Sequence, residues 1–93
     1  MLSDNEYKGI LLDIGIKIGY YRRKAGMTQA ELAEHTNLTL SYISQLESPN
    51  LPYCPSIKAL FTIAKVLGDF APASAFPRRE IFFVFTVFFH GNY

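Results

Sequence analysis

The sequence predicts an all-α fold, a compact bundle of four to five short helices, and three observations predict it. Apolar residues recur at helical spacing in separate stretches, around Ile10–Tyr21, Leu32–Ala33, Ile43–Leu46 and Ile57–Leu67. Helix stop and start residues stand between them: Gly26 before Thr28, Asn37 before Thr39, and a proline-rich run before Ser56. The run Thr28-Gln-Ala-Glu31 is a capping box, in which the threonine hydroxyl accepts from the Glu31 amide and the Glu31 side chain reaches back. Ninety-three residues, 49% of them apolar, make one small domain. Its core is limited, its stability marginal, and dimerisation would raise it.

Met1 to Tyr7 is polar and reads as frayed or loosely helical. From Ile10 a helical pattern begins, with Ile10, Leu11, Ile14, Ile18 and Tyr21 on one face. Gly15 and Gly19 weaken that helix by about 1 kcal/mol each against alanine. Their spacing would let another helix approach closely. Gly26 is placed just past the helix end, where a left-handed conformation is needed. The second helix runs from the capping box to His35 or Thr36. Asn37 suits a left-handed turn, and Thr39 caps a third helix, Leu40 to Glu47. Ile43 and Leu46 point inward, with Leu38 beneath. Leu40, Ser41, Ser44, Gln45 and Ser48 form an outward stripe.

Ser48 to Pro55, SPNLPYCP, carries three prolines and reads as a loop. Pro55 or Ser56 starts a fourth helix with Ile57, Leu60, Phe61, Ala64 and Leu67 on its apolar face, and Gly68 ends it. A short helical turn around Ala73 to Phe76 would make a fifth. The domain is therefore placed at 1–77 and a separate apolar tail at 78–93. The tail segment IFFVFTVFF is β-branched and aromatic, which predicts a strand. Both of its alternating faces are apolar, so an exposed copy would aggregate unless paired.

Net charge is +1, unlike the strongly basic balance of a histone-like protein. The charge is uneven, however. Between Ile14 and Ala30 stand four basic residues (Lys17, Arg22, Arg23, Lys24) and no acidic one. The single cysteine, Cys54, excludes an internal disulfide and a cysteine-rich zinc site, and fits a reducing, cytoplasmic location. There is no secretory signal pattern at the start. The apolar run Ile81–Phe89 is nine residues, against the roughly 20 that a membrane-spanning helix needs. His90 and Cys54 lack partners at metal-ligand spacing, and Cys54 lacks a base partner for nucleophilic chemistry. Without a glycine-rich phosphate loop or paired carboxylates, neither an enzyme, a cofactor nor a small-molecule ligand is expected.

Two short helices joined by a tight turn at a steep angle are the geometry of helix-turn-helix DNA binding. Ala33 is small where the helices cross, Asn37 tolerates the turn, and Ile43 supplies a branched anchor, with Leu32 and Leu46 on the inner side. With these residues, GYYRRKAGMTQAELAEHTNLTLSYISQLES followed by PSIKALFTIAKVLG resembles the Cro/repressor-type, or XRE, helix-turn-helix family over roughly Ile10 to Gly68. The resemblance implies a lambda-repressor-like bundle that binds double-stranded operator DNA as a dimer. By matching positions it implies that Gln29 contacts a phosphate and braces the reading helix. It also implies that Leu40, Ser41, Ser44 and Gln45 face base edges, and that Arg22 and Glu47 form a partly buried salt bridge. The chain departs from the family at Gly19, where arginine is frequent, at Asn37, where glycine is frequent, and in an uncharged loop over Ser48–Cys54.

The residues supply a mechanism of their own beside the resemblance. The helix ends at Thr28/Gln29 and Thr39/Leu40 present free amides and a positive dipole end to phosphates. Gln45 can pair with adenine N6 and N7, Ser41 and Ser44 fit either base type, and Leu40 can touch a thymine methyl. No Arg or Lys lies on this face, so phosphate attraction falls to Arg23 and Lys24, joined by Lys17, and a modest salt dependence is expected. Arg23 and Lys24 also read, on the plainer view, as only a solvated charge run. Tyr42 is read either as a phosphate contact or as packing against the loop. The leading expectation is a sequence-specific regulator acting as a homodimer through its tail. The competing one is a protein-interaction module of the same fold, antitoxin-like or polymerase-contacting, that does not read DNA.

Overall fold

The computed structural model describes residues 1–70, and the tail strand, the turn around Ala73–Phe76 and the boundary at 77/78 lie outside the described residues. Within them the chain is α1 (Asp4–Lys24), α2 (Gln29–Thr36), α3 (Leu40–Glu47) and α4 (Ile57–Phe70). α3 packs on both α1 and α2, and α4 packs chiefly on α2.

The first helix starts earlier than its apolar pattern does. Ser3 caps it: its hydroxyl accepts from the Glu6 amide at 3.1 Å, and the Glu6 carboxylate accepts from the Ser3 amide at 2.9 Å. Met1–Tyr7 is thus not a frayed lead-in; all but its first three residues are helical. Two satisfied end amides give the first turns a start signal of their own, ahead of any apolar face. Lys17 donates to Asp13 at 2.7 Å, one turn away on the same helix. Gly26 adopts φ 75° past the helix end, and the Met27 amide returns to the Arg22 carbonyl at 3.1 Å. That return drops the Met27 side chain into the core.

α2 begins on the Thr28/Glu31 capping box, formed in both directions. It ends on Asn37 in the left-handed region at φ 59°, with the Leu38 amide donating to the Ala33 carbonyl at 3.0 Å. Thr36, buried at this end, donates its hydroxyl to the Leu32 carbonyl one turn back. Thr39 then accepts from the Tyr42 amide and starts α3. Ser56 plays the same part for α4, accepting from the Ala59 amide at 3.1 Å. α4 continues two residues past Gly68, to Phe70, because a glycine permits a helix end without forcing one. Phe70 closes against the His35 ring, with centroids 4.3 Å apart.

Ile18, Leu32, Ile43, Ile63 and Leu67 are fully buried at the centre, one or more from each helix. Each contributes about 2 kcal/mol of transfer free energy. Ala33 and Ala64 are the small residues that let the helices around them approach.

Candidate nucleic-acid interface

The pair α2 and α3 presents one exposed face. Apolar residues at positions 43 and 46 turn inward, Ile43 completely and Leu46 nearly so. Helical periodicity then forces positions 40, 41, 44 and 45 outward. Leu40, Ser41, Ser44 and Gln45 are all exposed. The face they make carries hydroxyls, one primary amide and one apolar side chain, and no charge.

The inner end of α3 is tied down by a charged junction. Arg22 on α1 donates through Nε to Glu47 Oε2 at 2.8 Å and through Nη2 to Glu47 Oε1 at 3.0 Å. Its Nη1 donates to the Met27 carbonyl at 2.7 Å. Gln29, the first residue of α2, adds its amide to Glu47 Oε1 at 3.2 Å. One carboxylate at the end of α3 therefore gathers donors from the end of α1 and the start of α2. The Arg22 and Glu47 side chains are only 11% and 7% exposed, so water competes weakly for these bonds. The sequence signals for this junction lie 25 residues apart, beyond the reach of local pattern.

The outer edge is tied through Tyr42. Its hydroxyl accepts from the Ser56 amide at 3.1 Å, and its ring meets Tyr53 edge-on at 5.7 Å between centroids. The loop 48–56 is thereby fastened to the side of α3. The hydroxyl proton of Tyr42 remains available to donate. Thr39 and Gln29 sit at the two helix starts, with the Gln29 side chain held on Glu47.

The basic patch divides. Lys17 pairs with Asp13 and its side chain is only 15% exposed, so less of its charge is open to a ligand than that of its neighbours. The signal was present in the sequence as an acid–base pair one turn apart. Arg23 and Lys24 are exposed. Lys24 stands over the Tyr20 ring at 5.5 Å. Among the described residues no helix is long and apolar enough to cross a membrane.

Comparison with known proteins follows this geometry. The helix-turn-helix family matches residues 18–70, more than half of the chain. A competence pilus inhibition repressor from Acinetobacter baylyi is 39% identical over 46 residues, covering 50% of this chain and 42% of the relative. The chain thus spans less than half the length of that relative. No solved structure matches. A capped α2, a left-handed turn at Asn37, an α3 with one face buried and one bare, and a family match spanning all three place this chain in the helix-turn-helix family of DNA-binding regulators, of the Cro/repressor or XRE type.

Proposed function

We propose that the protein is a sequence-specific transcriptional regulator that reads operator DNA with Leu40–Glu47, as a homodimer. The observation that carries this reading is the bare stripe of Leu40, Ser41, Ser44 and Gln45 on a helix fixed on every other side. Gln45 is the chief base reader, through an amide that pairs with adenine; Ser41 and Ser44 add shorter contacts, and Leu40 meets a thymine methyl. Arg23, Lys24, Gln29, Thr39 and Tyr42 address phosphates, the threonine and glutamine together with the amides of their helix starts. Residues 1–77 form the reading domain, and 78–93 pair two copies. Two-fold symmetry then puts the reading helices about 34 Å apart on successive major grooves. A relative named as a repressor supports repression as the outcome.

Selection of genomic fragments with the purified full chain tests this. The expected result is a two-fold symmetric site with half-sites one helical turn apart. Absence of any sequence preference at low salt would sink it. A second reading, a partner-binding module that keeps the fold without reading DNA, is favoured by the uncharged stripe and by the uncharged loop over Ser48–Cys54. It predicts that same absence of preference, with Gln45→Ala instead weakening a protein complex.

A further inference from the structure

We propose that Gly15 and Gly19 of α1 are positioning residues that seat the C-terminal end of α3 and so set the tilt of the base-facing stripe. The inference rests on the DNA-reading assignment of α3. Glycine inside a helix is unfavourable relative to alanine, and α1 holds three. Only two of them touch another element. A Cβ built on Gly9 has nothing within 4 Å. One built on Gly15 would overlap the Leu46 carbonyl oxygen and lie 3.3 Å from its carbon and 3.7 Å from Glu47 Cα. Those are backbone atoms, and they cannot swing aside. One built on Gly19 would stand 3.0 Å from Glu47 Oε1, 3.4 Å from its Cδ and 3.2 Å from Arg23 Nη1. The first glycine therefore receives the backbone at the end of α3, and the second receives the carboxylate that holds Arg22 and Gln29.

Both contacts fall on residues 46 and 47, at one end of the helix. The other end is held to α2 through the turn at Asn37 and Leu38. Lifting one end while the other stays fixed rotates the helix. α3 has eight residues and is about 12 Å long, so a lift of ~1 Å at the seat tilts it by about 5°. The exposed side chains move with it, and hydrogen bonds to base edges tolerate displacements of only a few tenths of an ångström.

The test compares Gly19→Ala, Gly15→Ala and Gly9→Ala in the full chain. One readout is the Arg22 Nε–H resonance by NMR, which reports the bond to Glu47. The second is base preference in selection from randomised duplexes. Gly19→Ala meets side-chain ends and stays folded. It should shift the Arg22 resonance and change relative affinities among preferred bases by roughly threefold or more. Gly15→Ala meets backbone and should do more; if it fails to fold, Gly19→Ala and Gly19→Ser carry the test. Gly9→Ala should change neither readout. An unmoved Arg22 resonance in Gly19→Ala overturns the proposal, as does a uniform loss of affinity with base preference intact. If the wild type itself shows no base preference, the DNA-reading assignment fails instead. The seat is then judged by the Arg22 resonance and the Leu46 and Glu47 amide shifts, whose invariance would equally overturn it.

Discussion

Ile43 and Ser44 are adjacent in the chain and belong to opposite worlds. Ile43 is fully buried among residues from every other helix, whereas Ser44 is bare to solvent on a face with no charge. The same division runs the length of α3. On the inner side stand Ile43 and Leu46, packed in the core, and Glu47, bonded to groups on α1 and α2. On the outer side stand Leu40, Ser41, Ser44 and Gln45, answered by nothing in the described chain's core. The inner side converts burial and a charged junction into a fixed position; the outer side converts that position into a pattern of donors and acceptors. Substitutions within α3 itself should therefore divide, inner ones acting chiefly on stability and outer ones on recognition.

The largest expected effect is on the inner side. Ile43→Ala removes a fully buried branched side chain and should cost about 3–4 kcal/mol in unfolding free energy, measured by urea denaturation. A loss under about 1 kcal/mol would mean the core re-forms without its anchor. Glu47→Ala follows. It strands the Arg22 guanidinium against the Met27 carbonyl with no carboxylate, at a cost of about 3 kcal/mol. Because both partners are largely screened from solvent, the pair should keep its contribution at raised salt, where exposed pairs such as Lys65–Asp69 fade.

Smaller effects come from the helix start. Thr28→Ala removes one half of the α2 capping box and should destabilise by about 1 kcal/mol. Its other half adds a pH dependence. The Glu31 carboxyl is held below its ordinary value by hydrogen bonds from Thr28, the backbone amide first. Glu6 is held down in the same way by Ser3. A carboxylate so depressed stabilises the native state above the ordinary carboxylate range, and that contribution disappears as pH falls through the native value. Helical signal should therefore decline on acidification below about pH 4.5, and less steeply in Glu31→Gln.

On the outer side the expected change in stability is smallest. Gln45→Ala and Ser41→Ala should leave the urea midpoint within about 0.5 kcal/mol of wild type. Gln45→Ala should nonetheless weaken binding to the selected duplex by about 1–3 kcal/mol, read by gel shift. A Gln45→Ala protein that unfolds early would show the two sides of α3 to be less separate than their burial implies.

What was legible in the sequence was what is local. The α2–turn–α3 unit announces itself through Thr28 with Glu31, through Asn37, and through Thr39, all within a few residues of the groups they satisfy. The same logic at Ser3 and Glu6 was equally present but was outweighed by the polarity around it. Asp13 with Lys17, one turn apart on α1, is a local signal of the same kind. The candidate base-reading stripe follows from helical periodicity once Ile43 and Leu46 are inside. Contacts between distant segments were not legible from pattern. Gly15 and Gly19 suggest that something approaches closely; only the fold names Leu46 and Glu47. Tyr42 remained open between a phosphate and the loop, because the path of the proline-rich segment decides where Ser56 lies.

The junction at Glu47 also has a consequence in time. Arg22 and Glu47 are 25 residues apart, so at ordinary synthesis rates of about 5–20 residues per second the carboxylate is made some 1–5 s after the guanidinium. Through that interval the nascent α1 carries its apolar face, its two open glycine positions and an arginine without its acidic partner. α4, which supplies Ile63 and Leu67 to the same core, is later still. The junction is thus completed only when α3 has been made to its last residue, the one whose carboxylate ties α3 to both α1 and α2.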